Sequence, residues 1–149
     1  MKGLKVWGMG NPLLGDDAAG CRVAELLLEK GMRNVVNCET TPENYLSELR
    51  RDPPRTLLVA DAAQMGLVPG CCRRMSLSEL DSVAQSSHGI PLALLLSPFA
   101  DTIEIFALGI QPASLQLGAP LSEAVETAVR RIAGLIEQNR YLDIEPLYR

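Results

Sequence analysis

The sequence predicts a doubly wound α/β fold of three layers, and three observations carry that expectation. The chain opens with a short apolar stretch, Leu4 to Met9, which runs through a glycine-rich turn into an amphipathic segment. A nearly continuous apolar run, Thr56 to Ala62 (TLLVADA), has the pattern of a central strand buried on both faces. Around these, strand-like and helix-like segments alternate, as they do when helices cover both faces of one sheet.

The elements follow in order. Leu4 to Met9 is a strand. Ala18 to Lys30 carries Ala19, Val23, Leu26 and Leu27 at helical spacing, and Gly31 stops it. Val35 to Cys38 is a short second strand. Pro42 opens a second helix with Tyr45, Leu46 and Leu49 on one face, ending at Arg50 or Arg51 before Pro53-Pro54. After the central strand come a loop from Met65 to Gly70, a brief strand from Cys71 to Met75 and a helical turn from Ser76 to Asp81. Gln85 to Gly89 is a polar loop, and Pro91 to Leu96 reads as a buried helix with proline in its first turn. Thr102 to Leu108 is a strand, followed by a turn at Gly109-Ile110-Gln111-Pro112. Ser122 is placed to cap a last long helix. Its apolar stripe is Val125, Ala128, Val129, Ile132, Leu135 and Ile136, with Glu126 and Arg130 paired on the other face. Residues from Tyr141 onward read as a tail.

The totals bound the function. The chain has 149 residues, which suits a single domain spanning 1–149. Lys and Arg number 14 against 18 Asp and Glu, with no basic patch, which argues against nucleic acid as a partner. The longest apolar run, Pro91 to Leu96, is too short for membrane insertion. Cys21, Cys38, Cys71 and Cys72 form no C-x-x-C pair and lie far in sequence from the single histidine, so a Cys/His zinc site is not expected. The first residues lack the regions of a signal peptide, and buried free thiols in a reducing cytoplasm are the expectation.

Chemistry is concentrated at three places. The first is the turn Gly8 to Asp17. Gly8-x-Gly10 after a strand invites a dinucleotide-binding reading, but Leu13 stands where the third glycine of G-x-G-x-x-G belongs. Asp16 and Asp17 would also repel a pyrophosphate at the helix start. One of the pair, Asp16, is expected to cap the first helix, which leaves Asp17 as a ligand or acid/base. The second place is Asp61, which closes an apolar strand. A carboxylate there is either a loop cap or a functional group at the crevice beside the first strand, where it would face Asp17. The third is His88, in a polar loop rather than an apolar stripe. Two carboxylates and one imidazole make an N/O set suited to a divalent metal with positions left open. The residues alone leave a rival open: Asp17 and Asp61 as a metal-free carboxylate dyad with split pKa values. A serine triad is disfavoured, since no G-x-S-x-G elbow accompanies Ser86 or Ser87, and no cysteine stands at a recognisable active-site turn.

Several ordered motifs then point to one family. Gly8-Met9-Gly10-Asn11-Pro12-Leu13-Leu14-Gly15-Asp16-Asp17 resembles the opening of the nickel–iron hydrogenase maturation proteases. Pro42-Glu43-Asn44 looks like the P-E-N of the subgroup serving formate-hydrogenlyase and related membrane-bound hydrogenases. Asp61-Ala62-Ala63-Gln64-Met65-Gly66-Leu67-Val68-Pro69-Gly70 resembles its D-A-x-x-M-G-x-x-P-G segment, Ser87-His88-Gly89-Ile90-Pro91-Leu92 its [ST]-H-x-x-P-L block, and Leu108 to Pro112 its L-G-I-Q-P. The resemblance implies a three-layer αβα sandwich around a twisted, mostly parallel sheet. It implies a cytoplasmic endopeptidase that removes a short C-terminal extension from the nickel-loaded precursor of a hydrogenase large subunit. Asp17, Asp61 and His88 fall on the family's metal-ligating positions and are expected to serve as both catalytic and metal-reading residues. The nickel is expected to arrive with the precursor, with zinc or cadmium able to substitute in vitro. The chain departs from many relatives where Asn37-Cys38-Glu39 stands in place of a D-G-G turn, which leaves no assigned role for Cys38 or Glu39. Two alternatives to cleavage accompany this reading: a checkpoint module that binds nickel-loaded precursor without cutting it, and a nucleotide-binding α/β protein.

Overall fold

The computed structural model describes residues 3–84 and 89–148. Its core is one five-stranded sheet in the order β2-β1-β3-β5-β4, built from β1 (Leu4–Met9), β2 (Val35–Glu39), β3 (Thr56–Ala62), β4 (Cys72–Met75) and β5 (Glu104–Ile110). β1 pairs in parallel with β2 and β3, and β3 with β5. Only β4, at the edge, runs antiparallel. Helices α1 (Ala19–Glu29) and α5 (Glu123–Glu137) cover one face, and α2 (Leu46–Arg51), α3 (Leu77–Val83) and α4 (Leu92–Leu95) belong to the other. The three expected layers are thus present. Two apolar clusters fill them. One joins Val6, Val23, Leu27, Leu58, Val129 and Ile132, and the other joins Trp7, Leu49, Leu57, Val59, Leu80 and Leu92. Alternate residues of β1 and β3 enter opposite clusters, as strand geometry requires. Every residue of β3 is buried, which explains why its run reads as continuously apolar.

The crossovers reverse direction between β1 and β3, because β2 lies on one side of β1 and everything that follows lies on the other. Ligands of open α/β sheets sit beyond the strand ends at such a point. α1 is laid unusually close to it. A side chain on Gly8 would collide with the Gly20 carbonyl and with Ala24, and one on Gly20 with the carbonyls of Ala60 and Met9. Two glycines thus bring helix backbone onto strand backbone and fix where the turn before α1 can lie.

Four local expectations are corrected. β5 does not turn at Gly109: Gly109 and Ile110 stay in the strand because both edges are paired, to Asp61 and Ala62 on one side and to Arg73 and Cys72 on the other. Pro91 precedes α4 rather than opening it, and the helix start is capped by Asp81, whose carboxylate accepts the N–H groups of Leu92 and Ala93, each at 2.9 Å. Ser122 is at the cap position of α5, but its hydroxyl is not used on that helix. Residues after Tyr141 are not a loose tail. Ile144 is buried, and Pro146 bridges Arg74 of β4, with hydrogen bonds of 2.8 Å from Arg74 N–H to the Glu145 carbonyl and from Leu147 N–H to the Arg74 carbonyl. The chain end thereby covers part of the exposed sheet edge. Among the described residues no helix is long and apolar enough to cross a membrane.

Gly20 gives a direct test of the close approach. Alanine normally stabilises a helix by about 1 kcal/mol relative to glycine. Here Gly20→Ala is expected to lower the unfolding free energy by about 1–3 kcal/mol, as overpacking does. A urea titration that finds the variant more stable would contradict the packing described.

Candidate active site

Asp16 and Asp17 lie in a 3₁₀ turn, Gly15–Ala18, between the glycine loop and α1. Both are buried, at 1% and 0% exposure, and their environments differ sharply. The Asp16 carboxylate accepts from Ser122 N–H at 2.7 Å, Ser122 Oγ–H at 2.8 Å, Ala113 N–H at 2.8 Å and Ser114 N–H at 3.2 Å. It does not cap α1, as the sequence reading expected. It ties the turn to the 113–122 segment and the start of α5, and it takes the Ser122 hydroxyl that would otherwise cap that helix. Burial alone would raise its pKa, but the hydrogen bonds from Ser122, Ala113 and Ser114 outweigh it and hold the carboxyl below the ordinary value.

Asp17 is only half satisfied. Its Oδ2 accepts from Asn11 N–H at 2.7 Å, while its buried Oδ1 has no hydrogen-bond partner among the described residues. Such an orphaned oxygen is costly unless something supplies positive charge. Asp61, also fully buried, lies in β3 one residue before its end, and its Oδ1 accepts the N–H of Ala62 at 2.8 Å. The two aspartates meet around Gly10. With φ at +138°, Gly10 adopts a conformation open to glycine. A side chain there would collide with the Asp17 carbonyl and lie 3.7 Å from Asp61 Oδ1. The β1–β3 juncture thus brings the Asp17 backbone and the Asp61 carboxylate to either side of Gly10.

Cys21 reports the shared field. Its thiol donates to the Gly10 carbonyl at 3.4 Å. Burial first, then the negative charges of Glu39, Asp61, Glu25 and Asp17, push its pKa up to about 12. Burial also raises the thiols of Cys38 and Cys72. Protonated and enclosed, none of these three is a nucleophile at neutral pH.

His88 lies outside the described residues, but the chain on either side is tied to the site. Gln64 N–H donates to the Val83 carbonyl at 2.7 Å, and Ala84 bridges Ala63. These contacts lie two and three residues beyond Asp61. On the far side, Asp81 holds the start of α4. Among the described residues no three His, Cys, Asp or Glu side chains form a metal-holding group. The described part of the expected set is a pair of buried carboxylates with one oxygen unsatisfied, a donor chemistry that fits a hard or borderline divalent cation.

Two residues gain a structural role that sequence reading did not assign. Gln111, 3% exposed, accepts from the N–H groups of Met65 at 2.7 Å and Leu67 at 3.2 Å and donates to Gln64 Oε1 at 2.7 Å. It fixes the loop that leaves Asp61. The only signal for it was membership of the L-G-I-Q-P stretch. Glu39, in the stretch where the resemblance implies a D-G-G turn, has φ of +52° and is exposed, and its carbonyl accepts Gly10 N–H at 2.9 Å.

The low pKa of Asp16 carries a stability consequence. A depressed folded pKa contributes stability that is present above the unfolded value near 3.8 and is lost as pH falls through the folded value. Asp16→Asn places an amide against four donors. It is expected to lower stability near neutrality by about 2–3 kcal/mol and to flatten the acid limb of a urea-midpoint profile. An unchanged profile would remove Asp16 from its assigned role.

Comparison with known proteins finds a matching family and solved structures of the same fold. Residues 21–139 match the model of the hydrogenase maturation protease family. The hydrogenase 3 maturation protease of Escherichia coli K12 is 34% identical over 134 residues, covering 85% of this chain and 86% of that one. The solution structure of the endopeptidase HycI from Escherichia coli superposes with a TM-score of 0.86 at 28% identity, over 97% of this chain and 96% of that one. The crystal structure of the [NiFe] hydrogenase maturation protease HycI from Thermococcus kodakarensis gives 0.81 at 30% identity, over 93% and 92%.

Proposed function

This chain belongs to the hydrogenase maturation protease family, and we propose that it removes a short C-terminal extension from the nickel-loaded precursor of a [NiFe]-hydrogenase large subunit, with Asp17, Asp61 and His88 reading the nickel. The observation that carries this reading is the buried Oδ1 of Asp17, without a hydrogen-bond partner among the described residues, in a site that also holds buried Asp61. The nickel is part of the substrate. A precursor without it leaves the orphaned oxygen uncompensated, whereas a loaded one brings the positive charge that the pocket lacks. The same carboxylates therefore select against immature precursor by the energy of a missing ligand. Zinc and cadmium, which also accept oxygen and imidazole donors, are surrogates in vitro.

The protein's part is positional. Asn11 N–H fixes one oxygen of Asp17 and leaves the other for the cation. Burial keeps water from competing for the site. Gln111 shapes the loop that follows Asp61. Hydrolysis adds water across the scissile peptide bond, giving a new carboxylate on the large subunit and a new amine on the released extension. A cytoplasmic setting is supported by four free cysteines, two of them adjacent in sequence.

The test is the mass of the large subunit after incubation with the protein. Nickel-loaded precursor is expected to lose its extension, and nickel-free precursor is expected to stay intact. Asp17→Asn and His88→Ala are expected to slow processing at least about a hundredfold. Because Asp17→Asn also removes a half-satisfied buried charge, its urea midpoint should be equal to or above that of the parent. Equal cleavage of loaded and unloaded precursor would reject nickel reading. Binding of loaded precursor without any mass change would favour the non-cleaving checkpoint.

A further inference from the structure

Resting on that reading of the site, we propose that Cys21 is a positioning residue for Asp17: its thiol pins the Gly10–Asn11 peptide so that one Asp17 oxygen is held and the other is left for the cation. The two side chains reach opposite ends of one peptide unit. Cys21 Sγ–H donates to the Gly10 carbonyl at 3.4 Å, and the Asn11 N–H of the same unit donates to Asp17 Oδ2 at 2.7 Å. The unit is trans and planar, so its C=O and N–H point in opposite directions. Fixing the carbonyl therefore aims the N–H.

The peptide needs a pin because Gly10 does not supply one. At φ +138° Gly10 has a backbone conformation that favours glycine, and a residue without Cβ lets the peptide that follows it rotate. Its neighbours on both sides are fixed. Gly10 N–H, on the preceding peptide, donates to the Glu39 carbonyl at 2.9 Å, and Asn11 Oδ1 accepts Leu13 N–H at 2.9 Å. Between these points a half-turn of the peptide would withdraw the N–H from Asp17 Oδ2 and set a carbonyl oxygen against the carboxylate. The thiol bond opposes that half-turn. Cys21 is 2% exposed, so water does not compete for the carbonyl. A thiol is a weak donor, but this one keeps its proton: burial and the neighbouring carboxylates push its pKa up to about 12. With Oδ2 held, Oδ1, which has no partner among the described residues, is the oxygen offered to the cation. Cys21 itself touches no substrate and acts through Asp17.

The experiment follows hydrogen exchange at the Asn11 amide and processing kinetics on nickel-loaded precursor for the parent, Cys21→Ala, Cys21→Val and Cys21→Ser, with urea midpoints alongside. Alanine and valine remove the donor while bracketing the volume of cysteine, and serine keeps a donor. Alanine and valine are each expected to speed exchange of the Asn11 amide at least about tenfold, with the amides of α1 unmoved. Each is expected to lower kcat/KM about tenfold. Serine should match the parent in both readouts. Added to Asp17→Asn, Cys21→Ala is expected to lower kcat/KM no further, since it acts through that carboxylate. Unchanged Asn11 exchange in alanine and valine overturns the pin and leaves the protease reading standing. Serine falling as far as alanine also overturns it, because the donor would then not matter. So does faster exchange throughout α1 with a lowered urea midpoint, because the cysteine would then act on the fold. A parent that does not cut the precursor removes the protease reading, and the pin is then decided by the Asn11 amide alone.

Discussion

The direct backbone contact between α1 and the two strands beneath it is the constraint from which the rest follows. Gly8 and Gly20 allow it, and the carbonyls of Met9 and Ala60 define its limit. A helix held that close cannot shift along the sheet, so the turn that precedes it arrives at a fixed height above the β1–β3 juncture. Asp16 and Asp17 inherit that position. Burial of both is a consequence of the packing, and each then meets a different fate according to what surrounds it.

The contrast between the two aspartates is the functional content of the fold. Asp16 is surrounded by four donors and becomes a structural anion that joins the first loop to the last helix. Asp17, one residue on, has one donor and one oxygen without a partner among the described residues. The same sequence dipeptide thus yields a tether and the carboxylate proposed to read the cation. Gly10 lets the Asp17 backbone approach the β1–β3 juncture, where any side chain would collide with the Asp17 carbonyl.

Much of the fold was legible because burial leaves a pattern. β3 was read with its true ends, since a strand covered on both faces is apolar throughout. The ends of β5 were not, because Gly109 signals a turn locally and only its two paired neighbours keep it extended. The chain end was misread for a related reason: the bridge from Pro146 to Arg74 depends on an edge strand some seventy residues earlier. That Asp17 and Asp61 both lie at the β1–β3 juncture was visible from the strand–turn–helix pattern and the expected order of the sheet. The division of labour between Asp16 and Asp17 was not, since it depends on Ala113, Ser114 and Ser122, about a hundred residues away. Gln111 escaped notice because a buried glutamine has no periodicity to betray it.

The central claim is that Asp17 supplies an oxygen to nickel carried by the precursor. X-ray absorption at the nickel edge tests it most directly, comparing loaded precursor alone, with the protein, and with Asp17→Asn. Oxygen neighbours at nickel that appear on adding the parent protein and not on adding the variant are the predicted result. A nickel spectrum that is the same in all three samples would contradict the claim.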